Sequence, residues 1–66
     1  MQVKLTKHAR DRMVERGISG DEVLRAIVRG NKTVQFPNKI VAEYTYFSVV
    51  YCVHEECIQI ITVKLV

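Results

Sequence analysis

The stretch TKHARDRMVERGISGDEVLRAIVRG, residues 6–30, predicts two short helices joined by a tight connection. Thr6 can accept a hydrogen bond from the first helical turn that follows it, and Gly17 supplies the left-handed residue that ends the helix. Ser19 and Glu22 have the Ser-x-x-Glu spacing of a capping box, which marks the start of the second helix. These local signals predict a helical hairpin near the N-terminus.

Apolar residues recur at helical spacing in both helices, so each helix has one face for a core. We expect the buried residues to be Ala9, Met13 and Val14 in the first helix and Val23, Leu24, Ile27 and Val28 in the second. Asp21, Arg25 and Arg29 fall at successive i, i+4 positions and form a polar outer face. Gly30-Asn31 ends the second helix.

The rest of the chain has the composition of β-strands. QVKLT, at residues 2–6, alternates polar and apolar residues and predicts a first strand, and KTVQF, at 32–36, predicts a second. PNK is a turn, and residues 40–54 then form a strand-like run that either breaks near residues 46–48 or stays one long bent strand. HEEC is the next turn, and residues 58–65 form the last strand. The predicted fold class is α+β, one domain over residues 1–66: a strand, a helical hairpin, then a three- to four-stranded antiparallel sheet.

The last predicted hairpin has two apolar faces. A turn at HEEC places residues whose numbers sum to 111 opposite each other. One face then carries Val50, Cys52, His54, Cys57, Gln59, Ile61, Val63 and Leu65, and the other carries Val49, Tyr51, Val53, Ile58, Ile60, Thr62 and Lys64. Two helices can cover only one face, so we expect another chain to bury the second face or an apolar edge. The alternative is that the helices and termini wrap further around the sheet.

Charge and composition limit the class of protein. The net charge is +3, and eight of the ten Lys and Arg residues lie at or before Lys32. This balance is compatible with nucleic acid without requiring it. No apolar run is long enough for a membrane span, and the N-terminus lacks the apolar core of a signal peptide. We therefore expect a cytoplasmic protein with no membrane partner, in which both cysteines are reduced.

The first predicted helix carries a histidine and two arginines at i, i+4 spacing: His8, Arg12 and Arg16. A histidine beside two guanidinium groups can exchange protons while the cations hold a phosphate, which is what RNA cleavage by a 2′-hydroxyl requires. Position in the first helical turn favours the neutral imidazole of His8. The alternative is a solvated ion-pair surface, with Glu15 and Asp11 nearby.

Two further groups of side chains could carry chemistry. Cys52, His54 and Cys57 are metal-ligand types on one predicted hairpin face, but three ligands at this spacing match no common zinc motif. Buried thiols are the more natural interpretation, so we expect no metal and no cofactor. The strand aromatics could stack on bases, although such residues more often fill a core or an interface.

The segment HARDRMVERGIS, followed by DEVLRAIVRG, resembles a small-domain family with the signature His-x-x-x-Arg-Met/Leu-x-x-Arg-Gly-Ile-Ser. That family is grouped with the RelE/ParE-like toxins of bacterial and archaeal toxin–antitoxin systems. The resemblance implies the α+β fold above, and relatives that include endoribonucleases and gyrase poisons. It places His8, Arg12 and Arg16 at the signature's polar positions.

From this resemblance we expect a toxin-like domain that binds RNA, either free or on the ribosome, and that cleaves RNA without a metal. His8 would be the acid–base group, and Arg12 and Arg16 would bind phosphate. Arg10, Tyr51 and Lys64 would be further RNA contacts, the last two on an open sheet face. An antitoxin or a second copy of the chain would cover the sheet. The alternative is a non-catalytic dimerisation or protein-interaction module of the same fold.

Overall fold

The computed structural model describes residues 2–66 and has the α+β architecture that the sequence predicts. The elements in chain order are β1 (Gln2–Leu5), α1 (Lys7–Arg16), α2 (Gly20–Arg29), β2 (Asn31–Gln35), β3 (Lys39–Tyr44), β4 (Phe47–His54) and β5 (Cys57–Leu65). No helix within residues 2–66 is both long and apolar enough to cross a lipid bilayer.

The ends of both helices are fixed by the residues that the sequence singled out. The Thr6 side chain accepts a hydrogen bond from the Ala9 amide, and its hydroxyl donates to the Ile61 carbonyl at 2.9 Å. Gly17 has a φ of 64°, the left-handed conformation that ends α1. Ser19 and Glu22 form the complete capping box of α2. The helical hairpin is therefore specified locally, and Thr6 also attaches it to β5.

The five strands form one mixed sheet in the order β1-β5-β4-β3-β2. Strands β2 to β5 pair antiparallel with their chain neighbours, as predicted. β1 pairs parallel with β5, so the N-terminal strand extends the sheet beside the last strand. Both helices pack on one face of the sheet, α1 mainly on β5 and α2 on β3 and β4.

The long strand-like run after residue 40 does break, at Thr45 and Tyr46, slightly before the predicted position. Thr45 has a φ of 52°, and the pairing of Tyr44 with Phe47 closes the hairpin. The HEEC turn also forms, with both of its central glutamates in positive φ, which is typical of a type I′ hairpin turn.

The predicted face assignment of the last hairpin is wrong beyond Ile60. A β-bulge interrupts the pairing between Val50 and Tyr51. On one side of it, Tyr51 lies opposite Ile60 as the sequence rule requires, whereas on the other side Val49 lies opposite Val63. Because a register shift of one residue exchanges the two faces of a strand, Val63 and Leu65 move to the helix-covered face, and Thr62 and Lys64 move to the helix-free face.

The bulge changes where apolar surface is left exposed. The helix-free face carries Ser48 and Lys64 opposite each other. Val50 and Val41 lie opposite each other at its centre, where Val50 is buried and Val41 is half-buried. The expectation of a second, largely apolar sheet face that needs a cover is therefore not met on this side of the sheet. Exposed aliphatic side chains lie instead on the helix side.

The core lies between the helices and the sheet and is centred on Phe47, Val49, Ile60 and Val63, which are fully buried.

Both helices are rotated about their own axes relative to the orientation that the sequence predicts. Val14 is 78% exposed and Val28 75% exposed, and Leu24 is about half exposed, so placing these three residues in the core is wrong. Ala9, Met13, Val23 and Ala26 are the buried helical residues. Small alanines let each helix approach the sheet closely, and this contact line sets the rotation of the helices.

Candidate functional site

The three polar side chains singled out by the sequence lie along one stripe of α1. His8 occupies its first turn and is exposed, whereas Arg12 and Arg16 are half-buried. Helix α1 packs on β5 through Ala9 and Met13, and the polar stripe borders this contact. Its side chains are more buried toward the C-terminal end of the helix. The sequence prediction that these groups share one strip is consistent with this helix geometry.

Arg12 has a carboxylate partner within its own helix. One guanidinium nitrogen contacts both oxygens of Glu15, at 2.6 and 2.8 Å. Both side chains are substantially exposed, so solvent screens the pair and its contribution to stability is small. The solvated ion-pair alternative is thus realised at Arg12, and an incoming anion would have to compete with Glu15 for this cation.

Arg16 differs from Arg12 in its surroundings. Its Nη1 atom is buried, and no hydrogen-bond acceptor within residues 2–66 contacts it. The residue lies in the last turn of α1, where the partial negative charge of the helix terminus favours a cation. A buried guanidinium nitrogen without an acceptor is costly, because it has lost water and gained no partner. Among the described residues, this nitrogen therefore has an unused hydrogen-bond donor.

The three further RNA-contact candidates do not join this stripe. Arg10 is exposed, but on a helix it lies roughly 200° around the axis from both His8 and Arg12. Lys64 is exposed on the helix-free face of the sheet, opposite Ser48. These two cations and the α1 stripe therefore face three different directions, and one short RNA segment could not contact all of them directly.

Placing Tyr51 on an open sheet face is wrong. Tyr51 is 5% exposed and belongs to the core, where it lies between Ile40 on β3 and Ile60 on β5. Burial raises the pKa of its phenol. The strand alternation puts Tyr51 on the same face as Val49, and the helices cover that face, so its ring is not available for base stacking.

The two cysteines of the β4–β5 hairpin form no disulfide bond. Cys52 and Cys57 are both free and half-buried. His54 lies 3.8 Å from a Glu55 oxygen at the exposed turn. Within residues 2–66, no group of three or more His, Cys, Asp or Glu side chains is arranged to hold a metal ion.

One surface feature was missed by the sequence reasoning. Aliphatic side chains of α2, β1, β2 and β4 are exposed together on the helix side: Val3, Leu24, Val28, Val34 and Val53. The helical spacing did contain a signal, since Val23 and Ala26 fit a narrower buried face that leaves Leu24 and Val28 outside.

Comparisons with known proteins give a family and a fold. A family model described as a domain of unknown function, DUF4258, matches residues 5–64. The comparison with curated proteins gave no match. Among solved structures, the chain is similar to a chain of the toxin–antitoxin complex RelBE2 from Mycobacterium tuberculosis, with a TM-score of 0.69 and 17% sequence identity. The alignment covers 98% of this chain and 96% of that chain, so the two folds correspond over essentially their whole length.

Proposed function

The chain belongs to the DUF4258 family of domains of unknown function, and on that basis we propose that it is a RelE/ParE-like domain of a toxin–antitoxin-type system that binds RNA. The fold shared with a chain of a toxin–antitoxin complex supports the first part of this proposal. The second part depends on α1. A protein partner, an antitoxin or a second copy, and a cytoplasmic location belong to the same proposal.

The unpartnered Nη1 atom of Arg16 is the observation that carries the RNA proposal. A phosphate oxygen would supply the missing acceptor, because guanidinium and phosphate form strong charge-assisted hydrogen bonds. Arg12 would contribute a second cation on the same stripe by exchanging Glu15 for phosphate. His8, exposed at the start of the stripe, would then lie beside the bound backbone.

Cleavage would follow from that arrangement. The His8 imidazole would accept the proton of a ribose 2′-hydroxyl, and the 2′-oxygen would attack the adjacent phosphorus as the bond to the 5′-oxygen breaks. The departing 5′-oxygen would take a proton from water or from the imidazolium, leaving a 2′,3′-cyclic phosphate. Arg12 and Arg16 would stabilise the negative charge that develops on the phosphoryl oxygens.

The test separates RNA binding from RNA cleavage. Binding is measured by fluorescence anisotropy on a labelled single-stranded RNA, and cleavage on a denaturing gel. Arg12→Gln together with Arg16→Gln should weaken binding, by about tenfold for each lost charge-assisted hydrogen bond. His8→Ala should leave binding intact and abolish cleavage.

Arg10→Gln together with Arg25→Gln is the matched control, because it removes the same two positive charges from surfaces other than the α1 stripe. Binding no weaker in the Arg12, Arg16 double variant than in this control would refute the RNA site. Full cleavage by His8→Ala would refute the catalytic role.

A second candidate function is a non-catalytic interaction module. Two observations favour it. Glu15 pairs with Arg12, one of the two cations proposed to bind phosphate, and aliphatic side chains are exposed on the helix side of the sheet. If it is correct, the wild-type chain leaves RNA intact in the assay above.

A further inference from the structure

Helix α2 lies across the sheet and leaves one end of the sheet uncovered. The first half of α2 faces β1 across a cavity of 250 Å³ lined by Val3, Leu5, Gly20, Asp21, Val23 and Leu24. At its other end, the Val28 carbonyl accepts a hydrogen bond of 3.0 Å from the Lys32 side chain on β2. The helix thus packs on β3 and β4 and runs from the β1 side of the sheet toward the β2 edge.

The uncovered end forms the floor of an apolar groove beside α2. Val3, Ile58 and Val53 lie side by side on β1, β5 and β4. Val3 is 41% exposed and Val53 48% exposed, although both are on the helix-covered face. On the opposite edge, Val34 lies beside Ile40 and is 74% exposed. The wall of the groove is the flank of α2 that carries Leu24 and Val28.

The groove has the length of a short helix. Five strands at a spacing of about 4.8 Å give a floor about 19 Å across. A helix of ten residues, the length of α2, is about 15 Å long. A second α2 would therefore fit along the groove without projecting beyond the sheet.

Charges of opposite sign border the two sides of the groove. In the second half of α2, Arg25 and Arg29 follow the exposed apolar stripe, and no carboxylate within residues 2–66 forms a salt bridge with either. Asp21 lies one turn before Arg25, at the cavity end of the groove. Glu55 and Glu56 are exposed in the β4–β5 turn, directly beyond the Val53 and Ile58 positions of the floor. One molecule thus displays a basic border and an acidic border around the same apolar strip.

We propose that this groove is a self-association surface, in which α2 of a second copy lies antiparallel to α2 across a twofold axis. Leu24 and Val28 of each copy pack into the groove of the other. Arg25 and Arg29 of each copy reach the Glu55–Glu56 turn of its partner. A twofold interface uses the same patch on both copies, so the patch must be complementary to itself in shape and charge. A purely acidic or purely basic partner would satisfy only one of the two borders.

The dimer does not depend on the proposed RNA site, because α1 forms neither the wall nor the floor of the groove. The mass in solution is measured by light scattering across a concentration series, with sedimentation velocity as a second method. We expect a reversible species of twice the 7.6 kDa monomer mass. Val28→Glu should raise the dissociation constant of this dimer at least 100-fold. Val14→Glu introduces the same change at an equally exposed position on α1 and should leave the dimer unchanged.

A charge exchange tests the orientation of the two copies. The double variant Arg25→Glu, Arg29→Glu and the double variant Glu55→Lys, Glu56→Lys should each be monomeric, because each places like charges together. Mixed in equal amounts, they should form a heterodimer in which both borders are again complementary. A wild-type chain that stays monomeric at high concentration, or a mixture that fails to associate, would overturn the proposal. Equal disruption by Val14→Glu would place the interface elsewhere.

Discussion

Gly30 is the position where one added methyl group should disturb the fold most directly. Its φ is −71°, so its backbone conformation is open to any residue. The restriction is one of space: a Cβ atom at Gly30 would lie 2.5 Å from the Ala26 carbonyl oxygen and 2.8 Å from the Glu43 carbonyl oxygen. Both neighbours are backbone atoms, of α2 and of β3, and neither can rotate away. Gly30→Ala must therefore separate the end of α2 from the sheet.

The size of the effect follows from two opposing contributions. Forcing an extra methyl group into a closely packed site typically costs about 1–3 kcal/mol, and two backbone contacts place this site at the upper end. Replacing glycine by alanine also raises the free energy of unfolding by about 0.4–1 kcal/mol, because it restricts the unfolded chain. The expected net loss is about 2 kcal/mol of the free energy of unfolding. A chain of this length has roughly 3–10 kcal/mol in total, so the loss is a large fraction of its stability.

Urea denaturation followed by far-ultraviolet circular dichroism measures this loss at one fixed protein concentration. With a slope of about 1 kcal/mol per molar urea, the midpoint should fall by about 2 M. Gly20→Ala is the matched control, because a Cβ atom there meets nothing within 4 Å. That variant should be as stable as the wild type or slightly more stable. A Gly30→Ala variant within about 0.5 kcal/mol of the wild type would show that the contact between α2 and β3 is not close.

Two further predictions concern local interactions. The backbone amide of Ser19 and then the Tyr46 hydroxyl donate hydrogen bonds that lower the pKa of Glu22 below its usual 4.5. Because the pKa is lower in the folded state, the stabilisation by Glu22 is present above pH 4.5 and is lost as the pH falls through the lowered pKa. In acid, the melting temperature of the wild type should therefore approach that of Glu22→Gln. A difference in melting temperature that does not change with pH would contradict this prediction. Thr45 is a β-branched residue at φ 52°. Thr45→Gly relieves about 1–2 kcal/mol of backbone strain and loses about 0.4–1 kcal/mol to the freer unfolded chain, so the free energy of unfolding should rise by about 0.8 kcal/mol and the melting temperature by about 4 °C. A lower melting temperature would show that the turn is unstrained.

The sequence by itself determined the elements and their order. Thr6, Gly17 and the Ser19–Glu22 capping box act on atoms within a few residues, so they could be identified without knowing what the helices pack against. The HEEC turn and the existence of the last hairpin were determined in the same local way. The i, i+4 spacing likewise placed His8, Arg12 and Arg16 on one stripe of α1.

Only the tertiary structure decided which way the side chains face. The bulge beside Val50 arises from pairing between strands, and it moved Val63 to the core and Lys64 to the opposite face. The rotation of α2 about its axis, set by the close approach of Ala26, left Val28 exposed. Burial of one Arg16 nitrogen depends on how α1 lies on its neighbours. Local hydrogen bonds specify where an element begins and ends, whereas orientation depends on contacts between residues far apart in the chain, which spacing along the sequence does not contain.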